Sequence, residues 1–339
     1  MRTIQSVRRI LWVRTDRLGE TLLNLPAAAA LKMGLPSASL TWLAHPDLAG
    51  LLTRVPWIDH VLTAPQGPRY GWWARALRLG QILRAQHFDL AVISNPRQEL
   101  HLAVWLAGIP TRVGYDRKWG FLLTHRLPDR RALGVRHEVE YNKELVQSLG
   151  FSTESPLQRW PRFEPEQREI LQLIAQQGVQ STEALVAVHP WTSNPVKQWP
   201  LARFRELLRL AAKRLGVRVV VIGGAEEAAE VPAVLPDGVS VATLVGRLTL
   251  AQLAALLQHV RCLVSNDSGP VHLAAAVGTP TVVLFGATAA ATGPARWGPW
   301  GPGHMVISKP SIEEISVDEV VSALGQQLKR APYMPVHST

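Results

Sequence analysis

The sequence predicts an α/β protein built from two doubly wound domains, each a parallel β-sheet covered by crossover helices. Three observations support this prediction. Short apolar runs alternate with longer helical patterns along nearly the whole chain, as in parallel sheets whose strands are joined by helices. The length of 339 residues suits two domains of ordinary size. An irregular stretch with three prolines, residues 151–165, separates two runs of alternation and is the predicted linker.

The first domain is predicted over residues 1–160. Its strand patterns are short and rich in aliphatic residues, whereas the stretches between them place apolar residues on one helical face. The strands are predicted at 10–14, 40–44, 60–62, 90–94 and 112–115, and the clearest helices at 22–33, 72–85 and 98–107.

A second domain is predicted over residues 166–316 by the same alternation. Its strands are predicted at 185–189, 218–223, 241–245, 262–265 and 281–285, and its helices at 201–215, 250–259 and 271–277. A ligand is expected in the cleft between the two domains, beside the carboxyl ends of the strands. The last helix, 317–330, follows the completed second sheet, so we expect that it can cross back and pack on the first domain.

Composition and cysteine content limit the class of protein. Hydrophobic residues make up 47% of the chain and Asp, Glu, Lys and Arg 18%, which allows a large core and excludes general disorder. The single cysteine, Cys262, excludes an internal disulfide framework and a multi-cysteine metal site, and it fits a reducing compartment. No apolar run approaches the roughly 18 residues that span a bilayer, and arginines interrupt the basic N-terminus, which argues against a secretory signal. A cytoplasmic location is predicted.

The chain is basic, with a formal net charge of +10, and the excess lies in the first domain. Residues 1–165 hold 22 Lys and Arg against 13 Asp and Glu, whereas residues 166–339 hold 14 against 13. Seven of these cations lie within 25 residues: Arg112, Arg117, Lys118, Arg126, Arg130, Arg131 and Arg136. Such a density suits phosphates or carboxylates, although a solvated basic face is an equal alternative from charge alone. The cations match no nucleic-acid-binding motif, so no nucleic acid is expected as a partner.

The strongest local signal is the segment LVSNDSGPVHLAAAVGTPTVVLFG, residues 263–286. An apolar strand runs into a polar turn and then a helix, so the backbone N–H groups of Ser268 and Gly269 should point outward from a helix N-terminus. Such a terminus binds anions, and the carboxylate of Asp267 can accept hydrogen bonds from sugar hydroxyls. The alternative from these residues alone is that Asp267 or Ser268 merely caps the helix and that His272 is packed in the core.

Two further polar loops follow predicted strands. In HPWTSNPVKQWP, residues 189–200, Thr192 and Ser193 offer hydroxyls and Lys197 offers a point charge, a combination that suits a diphosphate. The loop after the first strand leads to Glu20 at the start of a helix, where stabilising the helix dipole is the alternative role of its carboxylate.

These three segments, in this order and at this spacing, resemble glycosyltransferase family 9, the lipopolysaccharide heptosyltransferases. The family shows R-x-x-x-x-G-D before a helix, then a Thr/Ser and Lys loop, then N-D-[ST]-G-P-x-H-L-A-A-A-x-G-x-P. This chain carries RTDRLGE at 14–20, TSNPVK at 192–197 and NDSGPVHLAAAVGTP at 266–280. The resemblance extends over essentially the whole chain, and its last motif is highly specific.

The resemblance implies a GT-B architecture, in which two Rossmann-like domains face a cleft, the second binding a sugar nucleotide and the first an acceptor. It places the donor diphosphate on three side chains and two backbone groups, those of Thr192, Ser193, Lys197, Ser268 and Gly269. It also implies contacts of Asp267 with the donor sugar, of Glu226 or Glu227 with the ribose, and of Gly246 and Leu248 with the adenine, and it adds His272 to the donor site.

For catalysis, the resemblance implies that Glu20 is the general base and that Lys197 and the helix at Gly269 stabilise the departing diphosphate. The acceptor is expected on residues of the first domain: Asp16, Arg17, Arg117, Lys118, Arg130, Arg131 and Arg136. The chain departs from the family in two places. Glu20 replaces the usual Asp, which moves the carboxylate by more than ~1 Å. FGATAA at 285–290 replaces F-G-P-T-D-P, which leaves the donor sugar open.

The main hypothesis is inverting transfer of a heptose from ADP-heptose to an acidic, lipid-linked saccharide of the lipopolysaccharide inner core. No D-x-D motif occurs in the sequence, so no metal is expected, and no cofactor is implied. Three alternatives stay open: a family member that uses another nucleotide sugar or acceptor, a sugar-nucleotide epimerase of the same architecture, and an inactive paralogue that binds a sugar nucleotide. An NAD-dependent oxidoreductase fits less well, because G-x-G-x-x-G is absent from both expected positions.

An anionic membrane surface is the other expected partner. In YGWWARALRLGQILR, residues 70–84, Trp72 and Trp73 stand beside Arg75 and Arg78, which suits a layer of lipid headgroups. The same residues also fit an ordinary amphipathic helix packed on the first sheet, and both interpretations stay open. The protein is accordingly predicted to be cytoplasmic and peripheral on the inner face of the inner membrane.

Overall fold

The structure, a computed structural model, describes residues 4–65, 71–154, 160–180, 183–286 and 289–330. The chain divides into two units, Met1–Pro161 and Arg162–Thr339. The division falls within the predicted linker, residues 151–165. Each unit holds one six-stranded sheet with helices packed against it, so each has a core of its own.

The first unit contains a parallel sheet in the order β3-β2-β1-β4-β5-β6. Its strands are β1 (Arg9–Val13), β2 (Ser39–Ala44), β3 (His60–Thr63), β4 (Leu90–Ile93), β5 (Thr111–Tyr115) and β6 (His125–Leu127). β4 is buried along its whole length, because helices cover both faces of a parallel sheet, and this burial explains its continuous apolar pattern. The order reverses between β1 and β4, since the chain builds outward from β1 to β3 and then returns to its other side.

The helices in the described part of the first unit are α1 (Leu18–Leu22), α2 (Leu25–Gly34), α3 (Pro46–Leu52), α4 (Trp72–Arg84), α5 (Gln98–Leu106) and α6 (Glu138–Gln147). The single helix predicted at 22–33 is therefore two helices. The chain turns between them at Asn24, a buried residue whose Oδ1 accepts a hydrogen bond from Trp12 Nε1 at 3.2 Å. Pro26 then suits the first turn of α2, where its missing N–H has no cost.

The second unit has the order β12-β11-β10-β7-β8-β9, again parallel throughout. Its strands are β7 (Leu185–His189), β8 (Arg218–Val221), β9 (Ala242–Thr243), β10 (Cys262–Asn266), β11 (Thr281–Phe285) and β12 (His304–Ser308). The sequence does not predict β12, because this edge strand mixes half-buried and exposed residues and lacks a continuous apolar run. The order reverses between β7 and β10.

The helices in the described part of the second unit are α7 (Glu164–Ala175), α8 (Leu201–Leu215), α9 (Val231–Val234), α10 (Leu250–His259), α11 (Gly269–Val277), α12 (Pro294–Trp297) and α13 (Val317–Arg330). The position of α13 corrects the expectation that this helix packs back on the first domain. It lies against α8 and the second sheet, with Val320 and Leu324 fully buried in that core. Gln327 Nε2 also donates to the Thr281 carbonyl of β11 at 3.4 Å.

Both sheets therefore have a topological switch point, between β1 and β4 in the first unit and between β7 and β10 in the second. In open α/β sheets, ligands bind outside the carboxyl ends of the strands at such a point. The motif at 14–20 follows β1, the loop at 190–200 follows β7, and the turn before α11 follows β10. The three segments singled out in the sequence therefore stand where each sheet offers a ligand site.

Candidate active site

A buried asparagine ties together the two loops at the switch point of the second unit. Asn266 ends β10 and is fully buried. Its Oδ1 accepts a hydrogen bond from Trp199 N at 3.1 Å, and its Nδ2 donates to Pro190 O at 2.6 Å. Because both partners belong to the loop after β7, the last residue of β10 fixes the loop that follows the neighbouring strand, β7.

This arrangement brings together the predicted diphosphate and sugar residues. Lys197 Nζ donates to Asp267 Oδ2, and Thr192 Oγ1 donates to the Asp267 carbonyl at 3.4 Å. Burial raises the pKa of the Asp267 carboxyl above its usual value, and the Lys197 ammonium opposes that shift without reversing it. An ammonium group has three N–H donors, so Lys197 can hold Asp267 and still donate to a phosphate oxygen. Ser193 lies exposed in the same loop.

The N-terminus of α11 lies directly after Asp267 in the chain. Ser268 is the residue before the first helical turn, and its side chain makes no capping hydrogen bond. The interpretation that Asp267 or Ser268 merely caps this helix is therefore not what the structure shows. Pro270 has no N–H, so the backbone donors at this terminus are those of Ser268 and Gly269. His272 is buried on α11 behind them.

The hydroxyl of Ser268 contacts a histidine that sequence reasoning missed. His189 ends β7, and its Nδ1 lies 3.1 Å from Ser268 Oγ and 3.3 Å from Ser265 Oγ. Burial lowers the pKa of the His189 imidazole to about 4, so the ring is neutral at pH 7. The available signal was a polar residue at the carboxyl end of a buried parallel strand, directly before a polar loop.

The predicted ribose and adenine residues lie after β8 and β9. Glu227 Oε2 accepts a hydrogen bond from Gly224 N, and burial raises the pKa of the Glu227 carboxyl above its usual value. Glu226 beside it is exposed. Gly246 has φ +69°, and a Cβ there would lie 3.0 Å from the Cα of Ala225, so glycine allows the two loops to meet. Leu248, two residues further on, is half-buried.

Glu20 lies in the first turn of α1, directly after β1 in the first unit. Its side chain is half-buried, and α1 has no side-chain capping hydrogen bond. Its backbone carbonyl accepts a hydrogen bond from Asn24 Nδ2 at 2.8 Å, which fixes the turn that carries it. The turn that carries Glu20 is therefore fixed at the switch point of the first unit, and α1 has no side-chain cap.

Asp16 and Arg17, the predicted acceptor residues next to Glu20, differ in their contacts and exposure. Asp16 accepts a hydrogen bond from Arg14 Nε at 2.6 Å, and Arg14 is buried with its Nη1 3.2 Å from Ser94 O. Asp16 is therefore held by an arginine that anchors the loop to the end of β4. Arg17 precedes α1 and is exposed.

Arg131 differs from the other predicted acceptor cations, because it is buried and its charge is paired with Asp129. Its guanidinium makes two 2.9 Å hydrogen bonds with Asp129 and lies 4.2 Å from the centroid of the Tyr115 ring. Its Nη1 also donates to Ser94 O at 3.2 Å, the same carbonyl that Arg14 contacts. Only 7% of the residue is exposed. Its charge therefore stabilises the sheet edge of the first unit.

The other predicted acceptor cations are exposed: Arg117, Lys118, Arg130 and Arg136. Arg117 lies 3.7 Å from Asp129, and Arg136 forms an ion pair with Glu144. Lys118 adopts φ +59°, an unusual conformation for a residue other than glycine. These side chains follow β5 and β6, at the same carboxyl edge as Glu20.

A stability measurement separates Arg131 from its neighbour Arg130. Arg131→Ala leaves Asp129 without its main partner, and breaking a buried ion pair typically costs about 3–5 kcal/mol of unfolding free energy. Arg130→Ala is the matched control and should change that free energy by less than ~0.5 kcal/mol, as for an ordinary exposed side chain. Urea denaturation of both variants checks this, and equal destabilisation by the two would contradict the structural role of Arg131.

Ala287 and Thr288, inside the FGATAA segment, lie outside the described residues. Within the part of the chain that the structure describes, no group of three or more His, Cys, Asp and Glu side chains is arranged to hold a metal ion.

Comparison with known proteins identifies the family. The family model for glycosyltransferase family 9 (heptosyltransferase) matches residues 76–324. The chain is 26% identical over 293 residues to lipopolysaccharide heptosyltransferase 2 of Escherichia coli K12, covering 82% of each protein. The solved glycosyltransferase family 9 structure from Veillonella parvula aligns with a TM-score of 0.86 at 20% identity, covering 95% of this chain and 98% of that one. The structure of E. coli ADP-heptose lipopolysaccharide heptosyltransferase II aligns with a TM-score of 0.79 at 23% identity, covering 95% and 99%.

Two Rossmann-like units of this kind are those of a GT-B fold, which confirms the predicted architecture. The chain belongs to glycosyltransferase family 9, and it is a glycosyltransferase. The resemblance drawn from the three motifs is thereby confirmed.

Proposed function

We propose that the protein transfers a heptose from ADP-heptose, with inversion at the anomeric carbon, to an acidic saccharide of the lipopolysaccharide inner core. The observation that carries the proposal is the grouping of Lys197, Asp267 and the N-terminus of α11 at the β7/β10 switch point. Similarity to a lipopolysaccharide heptosyltransferase and to a heptosyltransferase structure supports the choice of donor.

The donor diphosphate would bind at the β7/β10 switch point, where this unit offers the Lys197 ammonium and the N–H groups of a helix terminus. Lys197 would donate to its oxygens, with Thr192 and Ser193 beside it, and the N–H groups of Ser268 and Gly269 would meet it at the helix terminus. The donor sugar would lie by Asp267. The loops after β8 and β9 would hold the nucleoside, with Glu226 or Glu227 on the ribose and the backbone at Gly246 and Leu248 on the adenine.

Transfer requires a base and a stabilised leaving group. Glu20 would accept the proton of the acceptor hydroxyl as its oxygen forms a bond to the anomeric carbon. The bond from that carbon to the diphosphate oxygen breaks on the opposite side, and ADP departs with the electron pair. Lys197 and the α11 terminus would stabilise the charge that develops on the diphosphate.

This account places the leaving-group charge on protein groups, with no metal and no cofactor. We therefore expect transfer to continue in excess EDTA at its rate in untreated buffer. A radiolabelled transfer assay with and without the chelator measures this. Loss of activity that Mg²⁺ or Mn²⁺ restores would contradict the metal-independent mechanism.

A donor panel tests the function itself. Purified protein is incubated with a lipid-linked acidic acceptor and with ADP-heptose, ADP-glucose, UDP-glucose or UDP-N-acetylglucosamine, each radiolabelled in the sugar. The proposal expects labelled acceptor with ADP-heptose alone. Transfer of label from another donor would show that the protein uses a different nucleotide sugar. Epimerisation of the free donor would show that the protein is an epimerase. Donor binding without turnover would show that it is an inactive paralogue.

The acceptor is proposed to be an anionic glycolipid that meets the exposed cations Arg117, Lys118, Arg130 and Arg136. Its lipid anchor would bring the protein to the inner face of the inner membrane.

An aromatic surface on the first unit supports this location. Trp72 contacts Trp119 at 5.3 Å between ring centroids, and Trp119 contacts Phe121 at 5.8 Å. Phe121 and Trp73 are exposed. Arg75 is held by Glu99, whereas Arg78 of the same helix is exposed. No helix among the described residues has the length and apolarity to cross a bilayer.

Vesicle binding tests the membrane part of the proposal. We expect reversible binding to anionic but not zwitterionic vesicles, weakening as salt shortens the Debye length from ~10 Å at 0.1 M to ~3 Å at 1 M. Trp73→Ser and Phe121→Ser should each reduce binding, whereas Val306→Ser, an exposed apolar residue of the second unit, should not. Equal sedimentation with neutral and anionic vesicles would refute this location.

A further inference from the structure

A hydrogen-bonded cluster of one histidine and two serines lies beneath the proposed diphosphate site. Besides its contacts with His189, Ser268 Oγ lies 2.9 Å from Ser265 Oγ. The Ser265 hydroxyl donates to the Asn266 carbonyl at 2.8 Å. Its single hydrogen is therefore used, and toward Ser268 and His189 it can only accept.

The Nδ1 atom of His189 can act in only one of two ways. Its ring is neutral and carries one N–H, so Nδ1 is either a donor or an acceptor. If Nδ1 carries the hydrogen, it donates to Ser268 Oγ, and the Ser268 O–H donates to Ser265 Oγ. From there the Ser268 O–H can turn outward to a ligand oxygen, because the lone pair facing His189 is already in use. If Nδ1 is bare, the Ser268 O–H can turn inward to it and presents only lone pairs outward. An anionic ligand beside Ser268 favours the first arrangement, because phosphate oxygens accept and do not donate hydrogen bonds.

The helix terminus makes no competing use of this hydroxyl. Ser268 is the residue before α11, and its side chain does not cap the helix. The Ser268 hydroxyl is thus held from below by His189 and Ser265, at the same turn whose backbone N–H groups face the proposed diphosphate. A hydroxyl that accepts one hydrogen bond is polarised and becomes a better donor for the next.

We propose that His189 is a positioning residue that orients the Ser268 hydroxyl as a hydrogen-bond donor to the diphosphate of the bound nucleotide. The proposal rests on the proposed function, because it requires ADP at the β7/β10 edge. It assigns His189 no contact with the donor. The Nδ1–H···Oγ–H···O–P chain makes the contribution of His189 to binding depend on the presence of the Ser268 hydroxyl.

A double-mutant cycle on ADP affinity tests this dependence by calorimetry. His189→Gln places its amide near the position of Nε2 and removes the Nδ1 contact, while His189→Asn places an amide near Nδ1 and can restore it. Ser268→Ala and His189→Gln should each lower ADP affinity by about 3- to 10-fold, as for the loss of one hydrogen bond. The double variant should be no weaker than Ser268→Ala alone, and His189→Asn should bind nearly as well as the unmodified protein.

Thermal unfolding of every variant is recorded alongside, since a merely structural histidine would lower stability and affinity whether or not Ser268 is present. Three results would overturn the positioning role and leave the proposed function in place. The first is a loss of ADP affinity in the double variant equal to the product of the two single losses. The others are normal ADP affinity in His189→Gln, and equal loss of ADP affinity in His189→Asn and His189→Gln. Failure of the unmodified protein to bind ADP would overturn both.

Discussion

Lys197→Ala is expected to lower the affinity for ADP about 10- to 100-fold, the range for losing a hydrogen bond to a charged group. Lys197 is part of the loop that Asn266 fixes, and its ammonium already meets the buried carboxylate of Asp267. Removing it takes away the side-chain cation nearest the proposed diphosphate. It also leaves Asp267 unpaired, and a carboxylate there repels the same phosphates.

Calorimetry with ADP measures this effect, with Lys213→Ala as the matched control. Lys213 is an exposed lysine near the end of α8, in the same unit and away from the switch point. Its removal changes the net charge equally and should leave ADP affinity unchanged. If the two variants bind ADP alike, Lys197 is not part of the donor site. Urea denaturation of both variants ensures that a weakened Lys197→Ala protein is still folded.

Glu20→Gln is expected to reduce kcat by ~10²-fold or more while leaving ADP affinity intact, as for the loss of a general base. The amide is nearly isosteric with the carboxylate but does not take a proton at neutral pH. The structure leaves the Glu20 carboxylate uninvolved in capping α1, so the substitution should not disturb the helix. Transfer kinetics at saturating donor measure the effect.

The control for Glu20 is Asp47→Asn, which neutralises an exposed carboxylate in the first turn of α3, as Glu20 lies in the first turn of α1. Turnover should be unaffected in this variant. Full turnover in Glu20→Gln would instead support a role in stabilising the helix dipole. Glu20→Asp adds a test of reach, because it restores the usual family residue but retracts the carboxylate by more than ~1 Å.

The sequence predicts the sheets well because their strands are buried on both faces. Strands such as β4, β7 and β11 appear as continuous apolar runs, and only a parallel sheet with helices on both sides makes that pattern common. β12 lacks the pattern because it is an edge strand. The apolar face of α13 indicates that it packs, but periodicity does not say on which sheet, and the structure places it on the second.

The density of charged residues predicts the site residues less well than the sequence motifs do. Arg130 and Arg131 are adjacent and identical in type, yet one is exposed and the other is buried against Tyr115 with Asp129. A count of cations cannot separate them, although Asp129 two residues earlier was a usable signal of pairing. The contact of His189 with Ser268 spans 79 positions, so no local pattern contains it.

A crystal structure of the protein with bound ADP would show where the nucleotide lies. We expect the diphosphate at the carboxyl ends of β7 and β10, with its oxygens within hydrogen-bond distance of Lys197 Nζ, Ser268 Oγ and the N–H of Gly269. ADP bound at any other place, with Lys197 still contacting Asp267 alone, would refute the proposed donor site.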